Sequence, residues 1–306
     1  MKRPYAQSCD AASLASLTPS ARELLWKHWS ASALAELGAD WWVWSRPSQR
    51  PPECDWRDWL FLGGRGAGKT RAGSEWVSFL ARTGAAKRIA LVGPTFHDVR
   101  EVMIEGASGL RALPHRDRPA YEPSRRRLIW PNGAQAFGFS AEDVDGMRGP
   151  QFDAAWCDEL CHWKSPGAAL QVLAHALRMG ETPLMLVTST PKPSAALKML
   201  LADSGTAVTR ASTFENRANL APGFIASLEE RWSGSAHERQ ELLGELLEDH
   251  EGALWTRALI EAARTGAWRQ PDRVIVVVDP PAGVGKGANA CGIIAAGRFE
   301  VNGQSR

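Results

Sequence analysis

The fold of this chain is decided by the stretch Leu60-Phe61-Leu62-Gly63-Gly64-Arg65-Gly66-Ala67-Gly68-Lys69-Thr70. An apolar run over residues 59–62 predicts a buried strand, and apolar residues at helical spacing over 72–80 predict a helix that follows the glycines. The pattern Gly63-x4-Gly68-Lys69-Thr70 between a strand and a helix is typical of the phosphate-binding loop (P-loop) of nucleotidases. A glycine-rich turn can match by chance, but the lysine, the threonine and both flanking elements favour nucleotide binding.

The chemistry of this loop agrees with its pattern. Glycines let the backbone approach phosphates closely, and successive N–H groups at a helix N-terminus supply positive potential. Lys69 is expected to reach the terminal phosphates of ATP, and the Thr70 hydroxyl is expected to ligate Mg²⁺. The predicted nucleotide-binding residues of the loop are Gly63, Gly64, Arg65, Gly66, Ala67, Gly68, Lys69 and Thr70.

Gln49 is a candidate for recognising the base of the nucleotide. It lies shortly before the P-loop strand, and its amide offers the donor and acceptor that adenine needs. The alternative is a solvated glutamine in a polar linker.

Composition and charge limit the number of domains and the classes of function that the sequence allows. The chain has 306 residues, which suggests about two domains, and its net charge of +2 provides no global field for nucleic acid. The N-terminus lacks a signal-peptide core, and no apolar run is long enough to span a bilayer. Five scattered cysteines are consistent with reduced thiols in a cytoplasmic protein. Cys157-x3-Cys161-His162 lacks a second ligand pair, so packing is favoured over zinc.

A second part of the ATP site is predicted from the apolar run over 152–157, which ends in Asp158-Glu159. Magnesium needs a carboxylate on the strand beside the P-loop strand, and Asp158 fits that role. Glu159 is placed to orient or deprotonate the attacking water.

The strand predicted over 183–187 leads into Thr188-Ser189-Thr190-Pro191. Hydroxyls at the carboxyl end of a parallel strand lie on the ligand side of the sheet, where they can sense the γ-phosphate. An ordinary turn before a proline is the alternative.

Between Arg111 and Arg127 the sequence contains six arginines but only two carboxylates. This local excess of positive charge makes the run the best candidate for DNA phosphate contact. A solvated hairpin is an equal alternative. Pro131-Asn132-Gly133 between two apolar runs predicts a β-hairpin there.

The flanking regions are predicted by capping and periodicity. Thr18-Pro19 with a Ser20-x-x-Glu23 capping box starts a helix, and helical spacing continues over 24–37. The tryptophans 41, 42 and 44 are expected to pack on the next domain. Residues 211–268 are predicted to be mostly helical, with one segment starting at Pro222 and another over 240–249. A strand over 274–279 is expected to pair with 290–296 as a hairpin.

With these motifs in this order, the chain resembles the large terminase subunits of phages and prophages, closest to the gene-transfer-agent type. These proteins are ATP-driven DNA-packaging motors. The resemblance covers nearly all of the chain from about Trp44 onward. It is carried by residues 62–73, Met147-Arg148-Gly149-Pro150, residues 155–160, Thr188 to Pro191, Gly244-Glu245 and Gly252-Ala253-Leu254-Trp255.

The resemblance implies an α/β P-loop NTPase fold of the ASCE (RecA-like) type, with a mostly parallel sheet flanked by helices. It implies an N-terminal arm (1–58), an ATPase core (59–210), a helical lid or linker (211–271) and the first hairpin of a ribonuclease H-like nuclease (272–306). The other nuclease carboxylates are not found beyond Asp279, so we expect a truncated product without nuclease activity of its own.

The resemblance also implies site residues and partners. Arg148 matches the arginine that enters a neighbouring subunit's ATP site, Arg65 is a second arginine near the phosphates, and Thr188 to Thr190 match the segment that couples hydrolysis to movement. Asp279 matches the first metal-binding nuclease carboxylate. The implied partners are double-stranded DNA, a portal protein, a small terminase subunit and further copies in a homo-oligomeric ring, in the bacterial cytoplasm and transiently at the procapsid portal, with no membrane.

Two other functions fit parts of the sequence. A P-loop helicase or repair translocase shares the P-loop and Asp158-Glu159, but would ordinarily bring a second motor domain. A decayed prophage fragment would bind nucleotide or portal without turnover. The intact Lys69, Asp158 and Glu159 speak against decay of the ATPase half.

Overall fold

A computed structural model of the protein describes residues 11–235, 237–247, 255, 257–264, 270–280, 292–298, 300–301 and 304–305. The chain divides into two compact units, 1–248 and 249–306. The functional boundaries expected at residues 58, 210 and 271 stay predictions. Within the described ranges, no helix is both long and apolar enough to cross a membrane.

The first unit is built on an eight-stranded sheet in the order β3-β4-β5-β2-β6-β7-β1-β8. Strands β5, β2, β6, β7, β1 and β8 run parallel, while β3 and β4 add an antiparallel edge. The predicted α/β fold with a mostly parallel sheet is therefore confirmed. The strands are β1 (Asp58–Gly63), β2 (Arg88–Gly93), β3 (Ala120–Glu122), β4 (Arg127–Ile129), β5 (Gln135–Ser140), β6 (Ala154–Asp158), β7 (Leu184–Ser189) and β8 (Thr206–Ala211).

The expected order of strands around the P-loop needs one correction. Strand β6, which ends at Asp158, does not lie directly beside β1, because β7 pairs with both of them. Parallel strands need crossover connections, so neighbours in the sheet need not be neighbours in sequence. The insertion brings Thr188, at the end of β7, between the P-loop and Asp158.

Helices cover both faces of this sheet. Of these, α5 starts at Lys69, as the P-loop pattern predicts. The helices are α1 (Ala11–Ser16), α2 (Pro19–His28), α3 (Ala31–Ala39), α4 (Trp41–Trp44), α5 (Lys69–Thr83), α6 (Phe96–Asp98), α7 (Pro166–Ala176), α8 (Ala195–Ala202) and α9 (Pro222–Trp232), with π-helical turns at Val99–Ile104 and Glu238–Leu242. Short 3-10 turns lie at Pro47–Gln49, Pro123–Arg125, Asp145–Met147, Leu160–His162 and Phe214–Asn219.

Alternation along β1 divides the core into two layers. Trp59 and Phe61 pack in the cluster that contains Trp76 of α5, while Leu60 and Leu62 pack in the cluster that contains α7 and α8. All six residues of β1 are buried, as expected for a central strand covered on both faces. The P-loop therefore starts from one of the most deeply packed positions in the chain.

The N-terminal arm differs from its sequence prediction in detail. The cap of α2 is Thr18, whose hydroxyl accepts from the Ala21 N–H, so Ser20 does not form the predicted capping box. The helical pattern over 24–37 is broken after His28, because Ser30 caps a second helix, α3. Trp41 packs against the first core layer, as predicted, whereas Trp44 is exposed and departs from the prediction for the tryptophan cluster.

The remaining segments confirm some predictions and correct others. The Asn-Gly hairpin is confirmed by antiparallel β4 and β5, and Pro222 starts α9. The helix predicted over 240–249 is wrong for the described residues, since the π-helical turn ends at Leu242 and no helix follows through 247. Gly252, Ala253 and Leu254 lie outside the described residues.

The second unit contains α10 (Arg257–Ala263) and two antiparallel strand pairs. Strand β9 (Arg273–Asp279) pairs with β10 (Gly292–Arg298), which confirms the predicted hairpin over its described residues. Strand β11 (Glu300–Val301) pairs with β12 (Gln304–Ser305).

Gly73 of α5 is required by the close approach of the helix to β6. A Cβ at this position would lie 2.2 Å from Cε2 of Trp156, and this tryptophan is fully buried. The ring is also held in place, because its indole N–H donates to the Thr188 hydroxyl at 2.9 Å. The P-loop helix and strand β6 are thus fitted to each other at this contact.

We predict that Gly73→Ala lowers the free energy of unfolding by about 1–3 kcal/mol through overpacking. Urea unfolding followed by tryptophan fluorescence measures the change. The matched control is Gly167→Ala in the first turn of α7, where a Cβ would meet no atom within 4 Å. The control should leave the midpoint unchanged or slightly raised, and an equal loss in both variants would contradict the contact argument.

Candidate nucleotide-binding site

The P-loop turns at the carboxyl end of β1 and needs glycine at two points. Gly66 and Gly68 have φ of 72° and 84°, the left-handed region that glycine adopts without strain. The first peptide groups of the loop are bonded to distant segments. The Gly64 N–H donates to the Ala211 carbonyl at 3.1 Å, and the Arg65 N–H donates to the Glu241 carbonyl at 2.7 Å.

Side chains from outside the motif satisfy the carbonyl groups of the loop. The Thr213 hydroxyl donates to the Arg65 carbonyl at 2.6 Å, and the Asn216 amide donates to the Gly66 carbonyl at 2.6 Å. The Arg46 guanidinium donates to the Ala67 carbonyl at 2.6 Å. Sequence reasoning missed these three residues, because none belongs to a motif near the loop.

Gln49 is buried against the P-loop, so the interpretation as a solvated linker residue is wrong. Its side-chain amide donates to the Gly68 carbonyl at 3.1 Å and accepts from the Arg46 N–H at 3.2 Å. The side chain is 4% exposed. Gln49 therefore supports the loop directly, and its contact with adenine stays a prediction.

Lys69 points back over the loop, as the motif predicts. Its ammonium donates to the Gly63 carbonyl at 3.0 Å, the Gly64 carbonyl at 3.2 Å and the Thr190 hydroxyl at 3.0 Å. It also forms an ion pair with Glu159 at 3.4 Å, although the lysine side chain is only 7% exposed. The ammonium thus joins the P-loop to the ends of β6 and β7.

Asp158 is buried beside Thr188, which donates to the carboxylate at 2.5 Å. Burial raises the pKa of Asp158, and the nearby charge of Glu159 raises it further. A divalent cation would offset both effects, and carboxylate and hydroxyl oxygens suit Mg²⁺. The Asp158 carboxylate and the Thr70 hydroxyl, at the start of α5, are ligand types that suit this ion, and their joint binding of Mg²⁺ stays a prediction.

Glu159 has a strained backbone and a well-fixed side chain. Its φ of 51° is left-handed, an uncommon conformation for a residue with a Cβ. Burial opposes ionisation, but a hydrogen bond from His162, the charge of Lys69 and the Thr190 N–H outweigh it, so the pKa of Glu159 is lowered. A carboxylate that stays ionised can accept a hydrogen bond from water.

Two predicted arginines lie apart from this group of contacts. Arg65 forms an ion pair with Glu241 at 2.7 Å, with the arginine side chain 58% exposed. Arg148 lies in the connection from β5 to β6, where it is exposed and pairs with Asp145 at 2.8 Å. Both arginines are accessible to groups outside the chain.

Three arginines of the run between Arg111 and Arg127 contact an acidic or aromatic side chain within the chain. Arg111 pairs with Glu105, Arg127 pairs with Glu122, and Arg126 lies over the ring of Phe96. The segment includes the β3–β4 hairpin, with the remaining arginines exposed at 116, 118 and 125. Phosphate contact and a solvated hairpin are both compatible with this arrangement.

The remaining predicted ligands do not assemble a metal site. Asp279 ends β9 and is exposed, and among the described residues no group of three acidic, histidine or cysteine side chains is arranged to hold a metal. The core cysteine, Cys157, is fully buried, and burial raises the pKa of its thiol. Packing therefore explains Cys157.

Comparison with known proteins agrees with the site. The family model described as terminase large subunit, T4likevirus-type, N-terminal, matches residues 60–262. A search of curated proteins finds no match.

Solved structures show the same fold. The large terminase of a thermophilic bacteriophage superposes with a TM-score of 0.53 at 15% identity, covering 69% of this chain and 52% of that one. The large terminase ATPase domain of Thermus phage P74-26 superposes with a TM-score of 0.52 at 16% identity, covering 71% of this chain and 98% of that one. The first of these terminases, in complex with ADP, gives a TM-score of 0.51 at 15% identity, with 69% and 52% covered.

The chain spans about half the length of the full large terminase that it matches. The family match extends over residues 60–262, which include Lys69 at the start of α5 and the carboxylates Asp158 and Glu159 at the end of β6. Since that match covers more than half of the sequence, this chain belongs to the terminase large subunit family.

Proposed function

We propose that this protein hydrolyses ATP, with Mg²⁺ bound, to drive the movement of double-stranded DNA into a procapsid. The observation that carries the proposal is the convergence of Lys69, Glu159 and Thr190 within hydrogen-bond or ion-pair distance of one another. Asp158 and Thr188 form the adjoining contact. Family membership supports the motor interpretation over a P-loop helicase.

ATP binding is expected to change the partners of Lys69. Its ammonium is held by two loop carbonyls, and phosphate oxygens are stronger acceptors for it. The loop N–H groups and the N-terminus of α5 favour the same anion. Gln49, at the side of the loop, is our candidate for the base.

Thr70 and Asp158 would hold Mg²⁺, which when bound neutralises charge on the β- and γ-phosphates. Thr188 orients the Asp158 carboxylate for this role through its 2.5 Å hydrogen bond. Glu159 then holds the attacking water by accepting a hydrogen bond from one of its O–H groups. The Thr190 N–H holds one carboxylate oxygen of Glu159, at 3.2 Å, so that the other is left for water.

Arg148 is proposed to complete the site of an adjacent copy. It is exposed, it pairs only weakly with the exposed Asp145, and a guanidinium suits the charge that develops on a transferring phosphoryl group. Activity would then require an assembled homo-oligomeric ring.

The conformational change caused by hydrolysis is proposed to be transmitted to the DNA through the residues that contact the P-loop. Thr188 and Thr190 join β7 to both carboxylates, while Arg65 and Glu241 join the loop to the segment that follows β8. The exposed arginines 116, 118 and 125 are the candidate DNA contacts. A portal protein and a small terminase subunit are the expected partners, at the procapsid in the bacterial cytoplasm. The nuclease role of Asp279 stays a prediction.

We predict that Glu159→Gln lowers kcat for ATP hydrolysis by about 10²–10⁴-fold while ATP binding persists, because the neutral amide cannot take a proton from the water, whereas the phosphates keep their N–H donors. Lys69→Ala should abolish binding as well. Phosphate release and calorimetric titration with ATP and Mg²⁺ separate the two effects. Absence of Mg²⁺-dependent ATP binding by the unaltered protein would overturn the proposed function.

We predict that Arg148→Ala lowers turnover by about 10³–10⁵-fold without preventing ATP binding. Mixed with Glu159→Gln protein, it should regain part of the activity, since some interfaces then join an intact Glu159 to an intact Arg148. Assays over a range of mixing ratios test the role in trans. Strictly additive activities at every ratio would rule it out.

We predict that Arg118→Ala with Arg125→Ala weakens DNA stimulation of the ATPase and flattens its salt dependence, with the slope reduced by about 0.9 for each lost phosphate contact. Lys27→Ala is the matched control, since it removes an exposed cation from α2. Basal turnover without DNA should be unchanged in both. Equal effects in the control and the double variant would favour the solvated-hairpin interpretation.

A further inference from the structure

His162 lies against the carboxylate of Glu159, and nothing in the proposed mechanism uses it. It ends the 3-10 turn Leu160–His162, whose backbone closes with the His162 N–H donating to the Glu159 carbonyl at 2.9 Å. This turn brings the imidazole back over the residue that starts it. The Nδ1 atom lies 3.3 Å from Oε2 of Glu159.

The opposite side of the imidazole is occupied by a lysine. Nζ of Lys192 lies 2.9 Å from Nε2 of His162. An ammonium group can only donate hydrogen bonds, so Nε2 must be the accepting, unprotonated nitrogen. A neutral imidazole then carries its proton on Nδ1, the ring nitrogen that lies 3.3 Å from the Glu159 carboxylate. Lys192 therefore selects the tautomer that makes His162 a donor to the carboxylate.

The segment that carries Lys192 is joined to the same turn at two further points. The Cys161 N–H donates to the Ser189 hydroxyl at 3.0 Å, and the Cys161 thiol lies 3.6 Å from the Lys192 carbonyl. The end of β7 and the turn after β6 thus hold each other in register. Cys161 also packs against the second core layer, so His162 is the residue of the short cysteine–histidine motif that core packing does not account for.

The contact becomes more important when nucleotide is present. Glu159 has three side-chain partners in the structure, which are Lys69, His162 and the Thr190 N–H. On the proposed function, Lys69 turns to the phosphates, and its support of Oε1 is lost. His162 and Thr190 both lie at Oε2, so they remain to hold the carboxylate while Oε1 faces the water. They also offset the strain of the left-handed backbone at Glu159.

We propose that His162 is a positioning residue for Glu159, and that Lys192 fixes the tautomer in which it acts. This inference rests on the proposed ATPase function. His162 does not touch the phosphates in this account; it acts through Glu159 alone. Its removal should therefore slow the chemical step and spare nucleotide binding.

Steady-state ATPase assays test the positioning role. His162→Ala should lower kcat by about 10–100-fold, the usual effect of removing a group that orients a catalytic residue, with KM for ATP changed by less than about threefold. His162→Asn should recover most of the activity, since its amide N–H can replace Nδ1. Lys192→Met should fall between them. Lys164→Met is the matched control, because it removes an exposed lysine near the turn that pairs with Glu142 instead.

The outcomes separate this inference from the proposed function. If the unaltered protein hydrolyses ATP, Glu159→Gln does not, and His162→Ala equals the unaltered protein, the positioning role is wrong and the ATPase stands. A loss in His162→Ala that Asn does not recover at all would point to packing, and would also overturn it. Without turnover in the unaltered protein, the proposed function itself fails.

Imidazole ¹⁵N NMR tests the tautomer without any activity measurement. The His162 signals are assigned by their absence in His162→Asn. We expect the Nδ1–H form in the unaltered protein and a shift towards the Nε2–H form in Lys192→Met. Finding the Nε2–H form in the unaltered protein, or the same spectrum in both, would overturn the inference.

Discussion

The ammonium group of Lys69 must be both neutralised and hydrogen-bonded where it lies, since a charge taken out of water is costly without partners. Two loop carbonyls, a hydroxyl and the Glu159 carboxylate supply those partners. In doing so they fix the ends of β1, β6 and β7 relative to one another. The loop carbonyls and the lysine thus form a cradle in which phosphate oxygens can replace the carbonyls as partners of the ammonium.

A chain of contacts links the P-loop helix α5 to the carboxylate of Asp158. The missing side chain at Gly73 lets α5 approach the indole of Trp156, which donates to Thr188, which in turn donates to Asp158. Each link is buried, so each is worth more than its counterpart in water. Placing β7 between β1 and β6 makes this possible, because Thr188 then has Trp156 and Asp158 beside it on the neighbouring strand. Close packing of α5 on one face of the sheet thereby helps to orient the Asp158 carboxylate at the carboxyl end of β6.

The sequence predicts what is local and misses what is remote. The strand before the P-loop, the start of α5, the Asn-Gly hairpin and the carboxylates after β6 all follow from short patterns, and the structure confirms each of them. The placement of β7 between β1 and β6 is set by tertiary packing, and no local pattern encodes it. The same holds for Arg46, Thr213 and Asn216, whose partners are carbonyls of the loop.

The sequence pattern is also ambiguous at two places, which are the break between α2 and α3 and the role of His162. The break between α2 and α3 was obscured because the apolar spacing over 24–37 continues through Ser30, whose capping hydrogen bond decides the matter. In the sequence, the spacing of His162 from Cys157 and Cys161 suggests metal ligation as its only chemical role. Its role as a neighbour of Glu159 depends on the turn between them, and a turn after a strand is hard to distinguish from a helix start by pattern alone.

The loop's dependence on remote segments carries a mechanical consequence. Ala211, Thr213 and Glu241 bind the backbone of Gly64 and Arg65 directly, at distances of 2.6–3.1 Å. A Cβ at Gly64 would lie 2.3 Å from the Leu242 carbonyl, so only glycine lets the segment over Glu241 and Leu242 approach the loop this closely. A change in the loop on phosphate binding must therefore move the segment or break these hydrogen bonds. Since breaking them would leave buried polar groups unpaired, movement of the segment is the less costly response.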